Sequence, residues 1–329
     1  MEQFKALVVN KTESGTKLNY QTLTIDELPA GDVTIRVHYY SINYKDGLAT
    51  IPNGGVIRNY PMVPGIDLAG TVIDSKNPKF KEGDEVLVTG YEIGVSHFGG
   101  YSEVARVPAE WVVPLPKGLS LKEAMVIGTA GFTAALSIHR LEENGIKREN
   151  GPVLVTGATG GVGSSAVSML KKIGYTVTAS SRKQSEHDFL KEIGADEVIS
   201  PDELTNPKNK VLLKQKWQAA VDPVAGEYLP IILASIQYGG SVAVSGLTAG
   251  NKFTSTVFPF ILRGVNLLGI DSVYCPMETR LQIWERLAGE MKPDQLLDTI
   301  ATKVSFEEIP IVTKKILAGE LKGRNIVVF

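Results

Sequence analysis

The stretch Gly151–Arg182, GPVLVTGATGGVGSSAVSMLKKIGYTVTASSR, decides how the chain is read. It opens on Val153-Leu154-Val155, an apolar β-branched run too short for a helix and suited to a strand buried on both faces. A glycine cluster follows at Gly157, Gly160, Gly161 and Gly163. Val162, Ala166, Leu170 and Ile173 then recur at helical spacing, and Gly174 is placed to end that helix. Tyr175-Thr176-Val177-Thr178-Ala179 reads as the next strand. Strand, glycine turn, helix and strand within about thirty residues make one βαβ unit.

The glycines imply a ligand. A dinucleotide pyrophosphate is held by bare backbone N–H groups at a helix N-terminus, where the helix dipole favours negative charge, and side chains in the turn would block its approach. The spacing here is G-x-x-G-G-x-G rather than the strict G-x-G-x-x-G, so the flanking strand and helix carry much of the inference. A free ribose 2′-hydroxyl is usually held by an Asp or Glu about twenty residues past the glycines. Twenty positions after Gly160 the chain has Ser180-Ser181-Arg182 instead. Two hydroxyls and a guanidinium suit a 2′-phosphate, which predicts NADPH rather than NADH.

Working outward, the 329 residues suggest two domains. With 43% hydrophobic and 21% charged residues the composition is that of an ordinary globular protein. The net charge of −2 gives no field for nucleic acid or an anionic membrane. The single cysteine, Cys275, excludes an intrachain disulfide and agrees with a cytoplasmic location. No leader peptide or uninterrupted apolar membrane span is read.

Residues 1–120 read as mostly β, with strands expected at Ala6–Val9, Val33–Tyr39, Leu68–Ile73 and Asp84–Val88, and a partly open barrel or sandwich as their arrangement. Ser120-Leu121-Lys122-Glu123 is a capping-box pattern opening an Ala-rich helix that runs to about Leu141. Strands and helices then alternate as in a doubly wound parallel sheet. Ser185 is expected to cap a helix ending at Gly194, and later strands are expected at Ala219–Asp222, Ser241–Val244 and Asn266–Ile270. A helix at Ile309–Leu317 and a strand at Asn325–Phe329 are expected to return to the first domain.

Five segments in this order resemble the medium-chain dehydrogenase/reductase superfamily. They are Ser41–Leu48 (SINYKDGL), Pro61–Gly70 (PMVPGIDLAG), Gly99–Glu103 (GGYSE), Gly128–Ala135 (GTAGFTAA) and Thr156–Gly163 (TGATGGVG). Together they look like its zinc-free quinone-oxidoreductase branch, nearest the YhdH/YhfP type that includes acryloyl-CoA reductases. The resemblance implies an α/β chain in which a Rossmann-like, doubly wound NADPH-binding domain (123–298) is inserted in a mainly β, GroES-like catalytic domain (1–122 plus 299–329). It also implies site residues. Tyr44 lies near the nicotinamide, Thr159, Gly160, Gly161 and Val162 hold the pyrophosphate, and Ser180, Ser181 and Arg182 take the 2′-phosphate. Leu247, Ile261, Ser272 and Asn325 are further cofactor contacts. Asn43 and Tyr44 are the catalytic candidates, to orient a substrate carbonyl or relay a proton. An Arg that close relatives carry near the adenosine phosphate is matched here by Pro201.

Zinc members supply a Cys in the segment matching Asn43–Asp46 and a His-Glu pair where this chain has Ile66-Asp67. Neither Cys nor His stands there, and His38, His97, His139 and His187 are scattered without ligand spacing, so no metal is expected. Without a Lewis acid, hydride transfer to a conjugated C=C is favoured over carbonyl reduction, because the substrate's own carbonyl spreads the charge. Three readings follow. The first is an NADPH-dependent reductase of α,β-unsaturated acyl-CoA, with Lys45, Arg58 and Arg263 as candidates to meet the CoA phosphates. The second is a quinone or enone reductase, and the third a non-catalytic NADPH-binding sensor. A homodimer is expected through Val265–Ile270 as an edge strand.

Overall fold

A computed structural model describes residues 3–13 and 15–329. The chain packs as two units, Met1–Thr129 with Val273–Ala288 and Ala301–Phe329 in the first, Ala130–Ser272 with Gly289–Ile300 in the second. The first unit opens with an antiparallel hairpin, β1 (Gln3–Thr12) and β2 (Gly15–Thr24). Strands β3 (Val33–Ile42), β4 (Asp67–Ser75), β5 (Glu85–Thr89), β6 (Val104–Val107) and β7 (Val113–Pro114) follow, with helix α1 (Tyr44–Ala49) in the connection from β3 to β4. Leu7, Ile35, Tyr40, Ile42, Leu68, Val88 and Val104 belong to one buried core. Each such side chain contributes about 1.5–3 kcal/mol by leaving water.

Helix α2 (Leu121–Glu143) begins at the capping box read from the sequence. Ser120 N–H donates to Glu123 Oε2 (2.9 Å) and Glu123 N–H to Ser120 Oγ (3.3 Å). The helix is long and apolar enough by composition to cross a membrane, but 83% of its most apolar window is buried inside the protein, as in a core helix. It is interrupted at Gly128, whose φ of 51° and ψ of −160° are not helical.

The second unit is a parallel sheet. Its elements are β8 (Val153–Val155), α3 (Gly161–Lys172), β9 (Val177–Ser180), α4 (His187–Glu192), β10 (Glu197–Ile199), β11 (Trp217–Asp222), α5 (Leu229–Ser235), β12 (Ile236–Val244), α6 (Phe258–Arg263) and β13 (Asn266–Gly269). The strand order is β10-β9-β8-β11-β12-β13, and every pairing is parallel. Numbered from β8, this is the doubly wound order 3-2-1-4-5-6, in which ligands bind outside the carboxyl ends of the strands where the order reverses, here between β8 and β11. Helix α3 ends as expected. Gly174, at φ 89°, donates to Lys171 O (3.0 Å) and Tyr175 N–H to Leu170 O (2.9 Å), a Schellman motif. Ser185 does not cap a helix. The chain leaving β9 is turned by Ser181 Oγ accepting Lys183 N–H, residues 184–186 form a 3-10 turn, and α4 starts only at His187.

The chain then contributes α7 (Met277–Ala288), β14 (Ala301–Val304), α8 (Ile309–Leu317) and β15 (Arg324–Val328) to the first unit. Strand β15 pairs antiparallel with β3, completing a seven-stranded sheet of order β14-β15-β3-β4-β5-β7 with β6 also on β3. Residues 273–288 fall inside the range 123–298 that the sequence reading gave to the nucleotide domain, yet they pack with the first unit. The fully buried Arg280 gives a physical reason. Its guanidinium donates to Thr89 O (2.9 Å) and Val273 O (3.1 Å) and lies over the Tyr91 ring, 4.6 Å from its centroid.

Candidate active site

In the second unit, the glycine turn joins β8 to α3. Gly160 is the N-cap and α3 begins at Gly161, so the first N–H groups of the helix point out of the turn without intrahelical acceptors. Gly163 is a packing glycine, because a Cβ there would overlap the Gly157 carbonyl. Gly160 is different. A Cβ there would meet only Gly157 O, at 3.3 Å, and the residue is exposed. Its lack of a side chain leaves open space at a helix N-terminus, and this is the cradle a pyrophosphate needs.

Ala158 N–H donates to Ser180 O (3.0 Å), which brings the turn (Thr159, Gly160, Gly161, Val162) beside the end of β9. There Ser180 and Ser181 are buried and Arg182 is exposed. The bare turn and the exposed Arg182 fit a dinucleotide with an added phosphate, whereas the two serines are buried and Ser181 Oγ accepts from Lys183 N–H (3.1 Å). Asp222, at the end of β11 and fully buried, was not singled out from the sequence. Its Oδ1 accepts from Thr156 Oγ1 (2.5 Å), Val224 N–H (3.0 Å) and Ala225 N–H (3.1 Å), tying the ends of the two central strands together. Leu247 and Ile261 are 61% and 67% exposed, on the segments that follow β12. Ser272 accepts a hydrogen bond from Thr133 Oγ1 (2.8 Å).

The first unit holds Asn43, Tyr44 and Asn325. Asn43 is buried and is the N-cap of α1, so that Tyr44, the first helical residue, stands 42% exposed. The Asn43 side chain is already engaged at both ends. Its Nδ2 donates to Asp67 Oδ2 (2.8 Å) and its Oδ1 accepts from Arg324 Nη1 (3.1 Å). Asp67, fully buried, also accepts from Ser41 Oγ, from Thr129 N–H (2.9 Å) and from Thr129 Oγ1, and Arg324 Nη2 lies 3.9 Å from its Oδ2. Arg324 Nε donates to Val126 O (2.9 Å). Burial pulls the Arg324 pKa down, against Asp67 and Asp46, which hold it up. Asn325 is buried beside this cluster and pairs with Ile42 in the sheet. Arg324 and Asp46 escaped the sequence reading. A lone cation ahead of an apolar strand, and an Asp one turn into a short helix, carry no periodic signal.

Among the described residues no three or more His, Cys, Asp or Glu side chains gather as a metal-ligand set. In the segment Asn43–Asp46 and at Ile66-Asp67, where the resemblance implies the ligands of zinc members, there is no Cys or His and Asn43 donates to Asp67, so these residues do not fit zinc. Of the cations proposed to meet CoA, Arg58 pairs with Glu92 at 3.5 Å, and Tyr274 and Ser96 donate to the same carboxylate. Arg263 is corrected. It donates to Leu213 O (2.6 Å) and Ala234 O (2.8 Å), capping the end of α5, and is not free to hold a phosphate.

A nucleotide turn on a doubly wound sheet, joined in one chain to a β-rich unit, defines the alcohol-dehydrogenase-like class of oxidoreductases. A profile described as "Alcohol dehydrogenase GroES-like domain" matches residues 29–117, and one described as "Zinc-binding dehydrogenase" matches residues 161–289. The chain is 56% identical to the putative quinone oxidoreductase YhfP of Bacillus subtilis, over 98% of both chains. It is 45% identical to the probable acrylyl-CoA reductase AcuI of Escherichia coli, over 98% of this chain and 99% of that one. A crystal structure of Bacillus subtilis yhfP with NAD bound matches with a TM-score of 0.98 over 100% of both chains. One of the yhdH oxidoreductase from Salmonella enterica with NADP matches with a TM-score of 0.96 at 45% identity over 99% of both. The chain belongs to the medium-chain dehydrogenase/reductase family, in its quinone-oxidoreductase-like branch.

A Cβ at Gly128 would stand 2.6 Å from Asp67 Oδ2 and 2.7 Å from Arg324 Nη2, against Ser41 Oγ as well, and the backbone there has positive φ. Gly128→Ala is expected to lower stability by about 2 kcal/mol or more in denaturant unfolding. A variant as stable as the natural chain would show that the polar cluster does not close over this residue.

Proposed function

We propose that the acceptor reduced by this NADPH-dependent oxidoreductase is an α,β-unsaturated acyl-CoA, with acryloyl-CoA as the type substrate. The observation that carries the cofactor side is the end of β9, where Ser180, Ser181 and Arg182 stand beside a bare helix N-terminus and no carboxylate occupies the ribose position. Bound NADPH supplies the hydride. Thr159, Gly160, Gly161 and Val162 hold its pyrophosphate through backbone N–H groups, and Arg182 meets the 2′-phosphate with a charge-assisted pair. Leu247, Ile261, Ser272 and Asn325 complete the cofactor contacts, and Tyr44 faces the nicotinamide end.

The acceptor follows from what the first unit lacks in residue types. The segment Asn43–Asp46 and Ile66-Asp67 carry no Cys or His, so no zinc-ligand set stands there to hold a Lewis acid that would polarise an isolated ketone. In a conjugated thioester the hydride goes to the β-carbon, the C=C electrons move onto the thioester carbonyl, and the resulting enolate takes a proton at the α-carbon. Tyr44 is the exposed hydroxyl at this place, with Asn43 positioning it. Lys45 and Arg58 are the cations left to meet the CoA phosphates. The names of the AcuI relatives support this reading. Reduction of a quinone is the second reading, favoured by the name of the YhfP relative. A reducing, cytoplasmic location is part of the same proposal.

NADPH oxidation followed with acryloyl-CoA and with a small quinone separates the two. A rate with the thioester well above that with the quinone is expected. No rate above background with the thioester overturns the first reading, and tight NADPH binding without turnover of either makes the chain a sensor. Arg182→Ala is expected to weaken NADPH binding about tenfold, near 1.4 kcal/mol, and to leave NADH binding unchanged. Equal losses for both nucleotides would remove Arg182 from the 2′-phosphate.

We also propose a homodimer through β13. It is the edge strand of the six-stranded sheet, its Leu267 is exposed, and Val257 and Leu262 nearby in sequence are exposed too. A second copy of the chain pairing across this edge would cover them and extend the sheet. Sedimentation is expected to give a dimer at micromolar concentration and a monomer for Leu267→Lys. A monomeric natural chain would refute it.

A further inference from the structure

We propose that Asp46 and Asp67, with Arg324, form a buried unit that retains one proton, that this unit positions the Asn43–Tyr44 corner, and that turnover changes with its ionisation. The inference rests on the reading that places Tyr44 at the nicotinamide end.

Both carboxyls are completely buried, and Arg324 is nearly so. Asn43 is held by both of them. Its backbone N–H donates to Asp46 Oδ2 (2.7 Å) and its side-chain Nδ2 to Asp67 Oδ2 (2.8 Å), while Arg324 Nη1 donates to its Oδ1 (3.1 Å). The next residue is Tyr44. Any change in the repulsion between the two carboxyls therefore falls on the peptide that begins α1.

Charge counting gives the proton. Two carboxylates against one guanidinium would leave a net negative charge in a site without water, which costs several kcal/mol, whereas one retained proton balances the set. The donors are divided unequally. Asp67 accepts from Ser41, Asn43 and both donors of Thr129. Asp46 has as its close donors the backbone N–H groups of Asn43 and Ile66 (3.0 Å). Asp46 is the member that keeps the proton. The groups facing it are Asp67 from β4, Arg324 from β15 and the Tyr101 phenol, which is fully buried, interacts with Asp46 and lies tilted against Tyr40 of β3, ring centroids 4.9 Å apart. From helix α8, Leu317 and the Thr313 carbonyl lie against Gly47 beside it. Burial, then the Asp67 charge, push the Asp46 pKa up to about 7, against the two N–H donors that lower it.

The sign of the effect is fixed. A carboxyl whose pKa is raised in the folded chain contributes stability at low pH and loses it as pH rises from the ordinary value of 3.8 to about 7. Above that the two negative charges repel across Asn43.

The test uses infrared difference spectra of the NADPH complex below and above this midpoint, together with kcat/KM and NADPH affinity against pH. A protonated-carboxyl band lost on alkalinisation and missing from Asp46→Asn is expected. With it, kcat/KM should fall roughly threefold or more as pH rises, and Asp46→Asn should give a flat profile. Absence of the band, or its survival in Asp46→Asn, overturns the retained proton. A band present while the profiles of the two proteins coincide overturns the positioning role. Should Asp46→Asn not fold, Tyr101→Phe serves, since loss of the facing phenol must shift the band and its midpoint, and an unmoved band refutes the assignment. If neither acceptor is turned over, the functional reading fails while the band and the NADPH affinity profile still decide this one.

Discussion

A carboxylate sealed from water must be met by donors, and Asp67 is met by four hydrogen bonds from three residues with a guanidinium behind them. The donors come from the end of β3, the cap of α1 and the break in α2, and the guanidinium from the start of β15. One side chain thus fixes four segments that lie far apart in sequence. The break at Gly128 follows from the same demand. Only where the helix opens does the Thr129 N–H turn toward the carboxylate, and only a residue without a Cβ fits at the bend. Removing such a partner from a buried charge costs more than making the bond gains, so the cluster constrains its neighbours more than it stabilises the fold.

The second unit is organised by backbone rather than side-chain polarity. Its central strands β8 and β11 are buried along their whole length, as expected where both faces of a parallel sheet are covered, and the first N–H groups of α3 lack intrahelical acceptors. Asp222 plays there a part like that of Asp67, holding the ends of β8 and β11 in register through Thr156 Oγ1. Both buried acids serve geometry first.

What the sequence revealed followed from local rules. The run Val153–Val155, the glycine turn and the Gly174 stop are each written within a few residues, and the structure reproduces them as β8, the N-terminus of α3 and a Schellman motif. The run Val265–Ile270 suited an edge strand little better than an internal one, and β13 lies at the edge. What could not be read depends on contacts distant in sequence. Arg324 meets Asn43 across 281 positions and Arg280 meets Thr89 across 191, and no period or spacing announces either. Ser185 misled because a capping pattern competes with the turn made by Ser181, which uses up the residues before α4.

The same long-range pairing bears on the chemistry. Where zinc relatives are expected to gather ligands, Asn43 and Asp67 satisfy each other, so the polar capacity that would otherwise bind a metal is spent within the protein. In the proposed role this corner has little left to polarise an unactivated carbonyl, while Tyr44 stands exposed at the start of α1. An acceptor suited to that arrangement must carry its own electron sink. A conjugated thioester and a quinone both do, and they differ in what else the protein must hold. The thioester brings a phosphorylated tail and asks for cations such as Lys45 and Arg58, while the quinone asks for none. Arg58 is already paired with Glu92, whose carboxylate is itself held by Ser96 and Tyr274, so a CoA phosphate would have to compete for it. An exposed pair of this kind is worth about 1 kcal/mol or less, and a phosphate carrying more charge than a carboxylate can displace it.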